Sequence, residues 1–173
     1  MPSISLTKPT LEHQDGVLAL AKSFEEQGLF LHGASLAMFD NYQDWLNFAD
    51  APAGTPAPNN AFIKVADDTF LGIDELGRVL GIINVRYELN DFLRMQGGHI
   101  GYSTHPAFWG QGVASTMLKN TLTHCKQKGL DKVLITCNDD NLASAKVIEK
   151  VGGVLENKLT LNDKIVRRYW INL

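Results

Sequence analysis

The sequence predicts an α/β (α+β) fold in which helices flank a mixed, mostly antiparallel central sheet. Three observations carry that expectation. Apolar residues recur at helical spacing in Val17, Leu18, Ala21 and Phe24, then in Val113, Ala114, Met117, Leu118, Leu122 and Cys125, and again in Ala143, Val147, Ile148 and Val151. Runs rich in β-branched and aromatic residues lie between these stretches, bounded by glycine, proline and asparagine. Finally, strand, helix, strand and helix follow one another from residue 98 to 151, which calls for a right-handed crossover between the two middle strands.

Taken in order, residues 4–7 read as a short strand, and Pro9-Thr10 opens a helix that carries Glu12 in its first turn and ends at Gly28. A second short helix is expected over 41–49. The Pro/Gly/Ala-rich loop APAGTPAPNN follows it, so residues 28–60 form a wall or lid over a site. Three consecutive antiparallel strands are expected at 61–65, 70–73 and 79–89, with Glu75-Leu76-Gly77 as a turn. In the long third strand one face stays apolar, while the other passes from Leu80 and Ile82 to Asn84, Arg86 and Glu88. Residues 98–104 make the next strand, and the helix after it ends with Lys126, Lys128 and Gly129. A buried strand at 132–137 leads to a helix capped by Asn141, and a hairpin of 154–159 and 165–173 turns at Asn162-Asp163.

Length and composition bound the function. At 173 residues, 45% hydrophobic and 20% charged, the chain is expected to be one domain over residues 1–173. A net charge of -3 and a pI near 5.9 supply no general basic field, which argues against nucleic acid as a partner. No apolar run has bilayer length and the first residues do not read as a secretory signal, so a cytoplasmic protein without a membrane partner is expected, as a monomer or homodimer. Cys125 and Cys137 do not make a disulfide framework, and the spacing of His99 and His105 is not that of a metal pair, so no metal is expected.

The chemistry concentrates at residues 98–130. A strand enters a turn at His105-Pro106, and Trp109-Gly110-Gln111-Gly112 then opens directly into the amphipathic helix. Two glycines allow a ligand to approach the backbone, and free N–H groups at a helix start hold phosphate. A nucleotide-binding reading competes, but this loop lacks the Lys-Ser/Thr ending of a P-loop, and Ser115 stands where a dinucleotide fingerprint has its third glycine.

These residues resemble the GNAT superfamily of acetyl-CoA-dependent N-acetyltransferases. Its Q/R-x-x-G-x-G/A signature reads here as Trp109-Gly110-Gln111-Gly112-Val113-Ala114, with Trp109 in place of the usual first residue. Asn141, Ala143, Val147 and Gly152 match the family's next helix. The segments at 97–103, 136–153 and 167–171 are similar to a subgroup of bacterial predicted acetyltransferases whose acceptor the likeness does not supply. The resemblance implies a central sheet splayed between its two middle strands, with acetyl-CoA as cosubstrate. It implies that Tyr102, Ser103 and Thr104 line the pantetheine arm, and that Gly110, Gln111, Gly112, Val113, Ala114 and Ser115 cradle the pyrophosphate. Asn141 takes a cofactor-side position, an N-cap role, or both.

The implied reaction is direct attack of a primary amine of a small molecule, peptide or protein on the thioester. A lysine-like amine costs about 4–5 kcal/mol to neutralise at pH 7, so a base is useful. His99 and Glu88 are the base candidates, a backbone N–H of the strand at 102–104 is the oxyanion donor, and Arg86 is a candidate for an acceptor carboxylate. Many family members place an acidic Tyr where this chain has Ile148, which leaves Tyr102 as the candidate acid. The same departure supports an alternative, a catalytically weak CoA-binding sensor or interaction module.

Overall fold

The computed structural model describes residues 3–173. Strand β1 (Ile4–Thr7) is followed by a 3-10 turn and helix α1 (Gln14–Glu26), then by α2 (Tyr42–Asp50), β2 (Asp67–Asp74) and β3 (Val79–Arg86). The short α3 (Asp91–Met95) leads into β4 (Ile100–Thr104), α4 (Val113–Gln127), β5 (Lys132–Asn138) and α5 (Leu142–Lys150), and β6 (Val154–Leu161) and β7 (Lys164–Asn172) close the chain. The strands form two antiparallel sheets, β1-β2-β3-β4 and β5-β7-β6. The predicted mixed fold is thus the observed one, and the sheet is split between its middle strands.

Local chemistry explains most element ends. Asn41, Asn90 and Asn141 each accept a hydrogen bond from the backbone three residues on, capping α2, α3 and α5. Gly129 takes a left-handed φ of 89° after α4, and Leu130 N–H donates to Cys125 O at 3.1 Å, closing the last turn. Asn162 and Asp163 both have positive φ, 48° and 64°, the backbone of a two-residue hairpin turn that follows strand twist.

Two expected strands differ. Residues 61–65 form no strand; only Ile63 bridges to Pro56. Their place beside β2 is taken by β1, and Lys64 turns inward, where its Nζ donates to the carbonyls of Phe48, Ala49 and Ala51 at 2.6, 2.9 and 2.7 Å and pairs with Asp67 at 3.1 Å. A lysine beneath the C-terminal end of α2 is worth more to those carbonyls than a ladder would be. The strand expected over 79–89 stops at Arg86, opposite Asp67 at the start of β2, and one further backbone bond, from Tyr87 N–H to Ala66 O at 2.8 Å, ends the pairing. Glu88 consequently lies in an exposed bend.

The core forms on both faces of the first sheet. Val17, Leu20, Trp45, Leu71 and Ile82 pack beneath α1 and α2, while Ile83, Ile100, Met117, Leu118, Ile135 and Ile148 join α4 and α5 to both sheets. Helix α4 seats closely because β2 and β3 present glycine to it. A Cβ on Gly72 would stand 2.4 Å from Met117 Sδ.

The two sheets meet at one clasp. His99 N–H donates to Leu134 O at 2.7 Å, and Leu134 N–H donates back to His99 Nδ1 at 2.8 Å. Gly97 N–H also reaches Thr136 Oγ1, at 2.9 Å. The approach is so close that a Cβ on Gly98, whose φ is +61°, would lie 2.4 Å from Leu134 O. Burial, with the nearby Arg86 charge second, brings the His99 pKa down to about 4, so the ring is neutral with its proton on Nε2.

Two predictions concern this clasp. Gly98→Ala combines a disfavoured φ with a backbone collision and should cost at least about 2 kcal/mol in urea unfolding. His99 binds a proton more weakly in the folded than in the unfolded chain, so the fold loses stability as pH falls from the ordinary histidine range to about 4. That loss should be on the order of 3 kcal/mol, and His99→Asn, which keeps an acceptor for Leu134 N–H but does not titrate, should flatten this part of the stability profile.

Candidate active site

Beyond the clasp, β4 and β5 part. The antiparallel register fixes which amides the gap exposes. Arg86 N–H donates to His99 O and His105 N–H donates to Leu80 O, so odd-numbered residues of β4 bond to β3. The N–H groups of Tyr102 and Thr104 point the other way, into the gap. Thr104 Oγ1 is buried there without a hydrogen-bond partner among the described residues, an uncommon state for a hydroxyl in a folded protein.

The gap leads to the start of α4. Gly110 and Gly112 take left-handed φ values of 74° and 80°, and no atom lies within 4 Å of where a Cβ on Gly110 would be. The first helical bond runs from Thr116 N–H to Gly112 O, 3.0 Å, which leaves the N–H groups of Val113, Ala114 and Ser115 without intrahelical acceptors. Gln111 turns back, its Nε2 donating to Ala107 O at 3.2 Å. Trp109 is half exposed, held by an Nε1 bond to Thr104 O of 2.8 Å and an edge contact with Phe24.

The two faces of the gap differ in character. Toward α4 and α5, Tyr102 reaches across so that its hydroxyl lies 2.9 Å from Ser144 Oγ, and burial pushes its pKa up to about 12. Ile148 is fully buried one helical turn beyond Ser144, and Cys137, pushed up to about 11 by burial, is a thiol rather than a thiolate. Asn141 Oδ1 caps α5 by accepting from Ser144 N–H at 3.1 Å. Toward α1 and α2, Ser103 Oγ accepts from His32 N–H at 2.8 Å, so its side chain lies on the opposite face from Tyr102 and Thr104. Arg86 shares that face, its guanidinium lying over Gly101, where a Cβ would be 3.1 Å from Nη2. His32 is an exposed residue, yet partial desolvation of its ring, and then the Arg86 charge, lowers its pKa.

The sequence-predicted residues therefore divide. Tyr102 and Thr104 lie on β4 beside the gap, Gly110, Gly112 and the amides of Val113 to Ser115 lie at the start of α4, and Asn141 is at the head of α5. His99 is at the closed end of the gap, but the lone pair a base would use already accepts from Leu134. Glu88 is exposed outside it and makes no bond with Arg86. His32 carried no signal in the sequence, since the segment that contains it has weak periodicity and only the fold lays it on β4.

Residues 5–154 match the family model described as the acetyltransferase (GNAT) domain. The chain belongs to the GNAT acetyltransferase family. Its fold is that of solved N-acetyltransferases. The microcin C7 self-immunity acetyltransferase MccE, solved with acetyl-CoA and AMP, aligns at a TM-score of 0.69 and 18% identity over 98% of this chain and 92% of the other. The Salmonella typhimurium enzyme that modifies the N-terminal serine of ribosomal protein L7/L12 aligns at 0.67 and 16%, covering 99% and 95%. A chimera of spermidine N-acetyltransferase SpeG from Vibrio cholerae and hSSAT aligns at 0.66 and 18%, covering 98% and 94%. No curated protein sequence matches. No helix among the described residues is long and apolar enough to cross a membrane.

Proposed function

We propose that this GNAT domain transfers an acetyl group from acetyl-CoA to a primary amine of a small molecule, peptide or protein. The observation that carries the reading is the continuity of the gap: amides on β4 that face no strand run directly into the uncapped start of α4. An extended pantetheine has amide groups complementary to the first, and a pyrophosphate suits the second. The solved relatives bound to acetyl-CoA or CoA support the same ligand. The orphaned Thr104 hydroxyl fits a polar partner from outside the chain.

Acetyl-CoA supplies the activated acyl group as a thioester. The residues of the chain then divide the remaining work. A β4 amide, from Tyr102 or Thr104, faces the gap as a donor for the oxygen that gains negative charge. His32, neutral near pH 7 and on the face away from α4, is placed to take the proton of the incoming amine. Tyr102 keeps its proton at working pH and offers it on the α5 side, where the departing sulfur needs a donor; its phenol stands in for the family tyrosine that Ile148 replaces.

A second reading, a CoA-binding sensor or interaction module, is favoured by one observation, the burial of apolar Ile148 at the position of the family's acid. Thiol release with a panel of amines separates the two. Acetylation of any amine with saturable kinetics supports the enzyme, whereas saturable acetyl-CoA binding without thiol release supports the sensor.

Three variants test the assignment. Gly112→Asp places a carboxylate at the start of α4, and should weaken acetyl-CoA binding by about 100-fold or more in calorimetry while circular dichroism remains that of the folded chain. Tyr102→Phe should lower kcat by about 100-fold with little change in acetyl-CoA affinity. His32→Gln should lower kcat comparably, and it should remove an acid limb of the pH–rate profile that lies below the ordinary histidine range, since protonation of His32 at low pH takes away the base.

A further inference from the structure

We infer that the acceptor is an amine that carries a carboxylate close to its nitrogen, and that Arg86 pairs with that carboxylate. The inference rests on the acetyl-transfer reading and narrows it. Arg86 sits at the end of β3, opposite the closed end of the gap, and among the described residues only one arm of its guanidinium is used: Nη1 donates to Gly97 O at 3.0 Å and Gly98 O at 3.3 Å. Nη2 lies over Gly101, at the one position of β4 where the absence of a Cβ leaves room for it. Among the described residues no carboxylate pairs with Arg86. Asp67, the acid whose field reaches it, is already held by Lys64 Nζ at 3.1 Å and Asn84 Nδ2 at 2.8 Å.

Arg86 is only partly exposed, and a guanidinium in that setting without a counter-ion gains from a partner of opposite charge; desolvation lowers its pKa to about 10, which still leaves it charged. The cosubstrate does not supply that charge. Its phosphates belong at the start of α4, beyond Thr104, whereas Arg86, on β3, lies opposite the His99 end of β4, where an uncharged pantetheine and the acetyl group would run. The remaining source is the acceptor, which enters from the face that Arg86 shares with His32 and Ser103. A planar guanidinium with an unused edge suits a carboxylate, which it binds in a fork. The same charge disfavours a polyamine beside it, and it disfavours the ammonium form of any acceptor, so it assists the deprotonation that attack requires.

The test compares amino acids with their carboxamides, which lack that charge and carry a less basic amine, so each kcat/KM is expressed per neutral amine. Thiol release is measured at saturating acetyl-CoA for the twenty amino acids, their amides and spermidine. At least one amino acid should exceed its amide in kcat/KM by about 10-fold or more, chiefly through KM. In Arg86→Gln the ratio should fall to within about twofold of one, and Arg86→Lys, which keeps the charge but not the fork, should retain part of it. Thermal melting and acetyl-CoA binding establish that each variant is folded, and if Arg86→Gln is not, Arg86→Lys carries the comparison. Equal kcat/KM for amino acids and amides, a preference that survives Arg86→Gln, or turnover of spermidine alone overturns the inference while leaving acetyl transfer in place. Failure to acetylate any of these amines despite acetyl-CoA binding overturns the inference, and thiol release with peptide and protein amines then decides acetyl transfer itself.

Discussion

The arrangement depends on the pair of hydrogen bonds between His99 and Leu134. Two sheets that share no ladder are joined there by one backbone bond and one bond to an imidazole, and the chain then diverges. The histidine is what makes the exchange unusual. In a continuous ladder Leu134 N–H would donate to a carbonyl, and the strands would remain paired. With the side chain as acceptor, the bonding ends at a single residue, and the next amides of β4 have no strand to meet. The neutral ring this requires is ensured by burial and by the adjacent Arg86 charge. A residue that reads as a base in the sequence therefore serves as the hinge pin of the site.

Several independent features converge on the opening so created. The glycines before α4 keep its first amides accessible, and Trp109 holds the loop back through its bond to Thr104 O. On one face Tyr102 spans to α5, and on the other the segment that contains His32 crosses β4 by way of Ser103. On the proposed function, acetyl-CoA would meet mainly backbone amides and the acceptor mainly side chains. Backbone recognition suits a ligand common to a family, and side-chain recognition suits an acceptor that varies among its members.

Much of this was legible in the sequence, for identifiable reasons. Helix α4 announced itself through its apolar stripe and flanking glycines, α5 through Asn141, and the last hairpin through Asn162-Asp163, since each signal is local chemistry. The misreadings were tertiary. Residues 61–65 have β-like composition, but Lys64 is drawn to the end of α2 and β1 takes the sheet edge. The strand ending at Arg86 was expected to continue because its pattern continues, although its partner does not. His99 and Glu88 read as base candidates, and Ser103 as a residue that lines the pantetheine arm. Only register distinguishes a hydroxyl that faces His32, a ring that accepts from Leu134, and a carboxylate in solvent. His32 itself is 71 residues from Ser103, whose hydroxyl accepts from its N–H.

Amide-resolved hydrogen exchange, followed by NMR before and after addition of acetyl-CoA, addresses the central claim most directly. In the free protein the amides of Tyr102 and Thr104 and those of Val113 to Ser115 should exchange quickly, while Ser103, bonded to β3, should be slow; acetyl-CoA should slow the first set and leave Ser103 as it was. Strong protection of Tyr102 and Thr104 before any ligand is added, or no response of either group at saturating acetyl-CoA, would contradict the account.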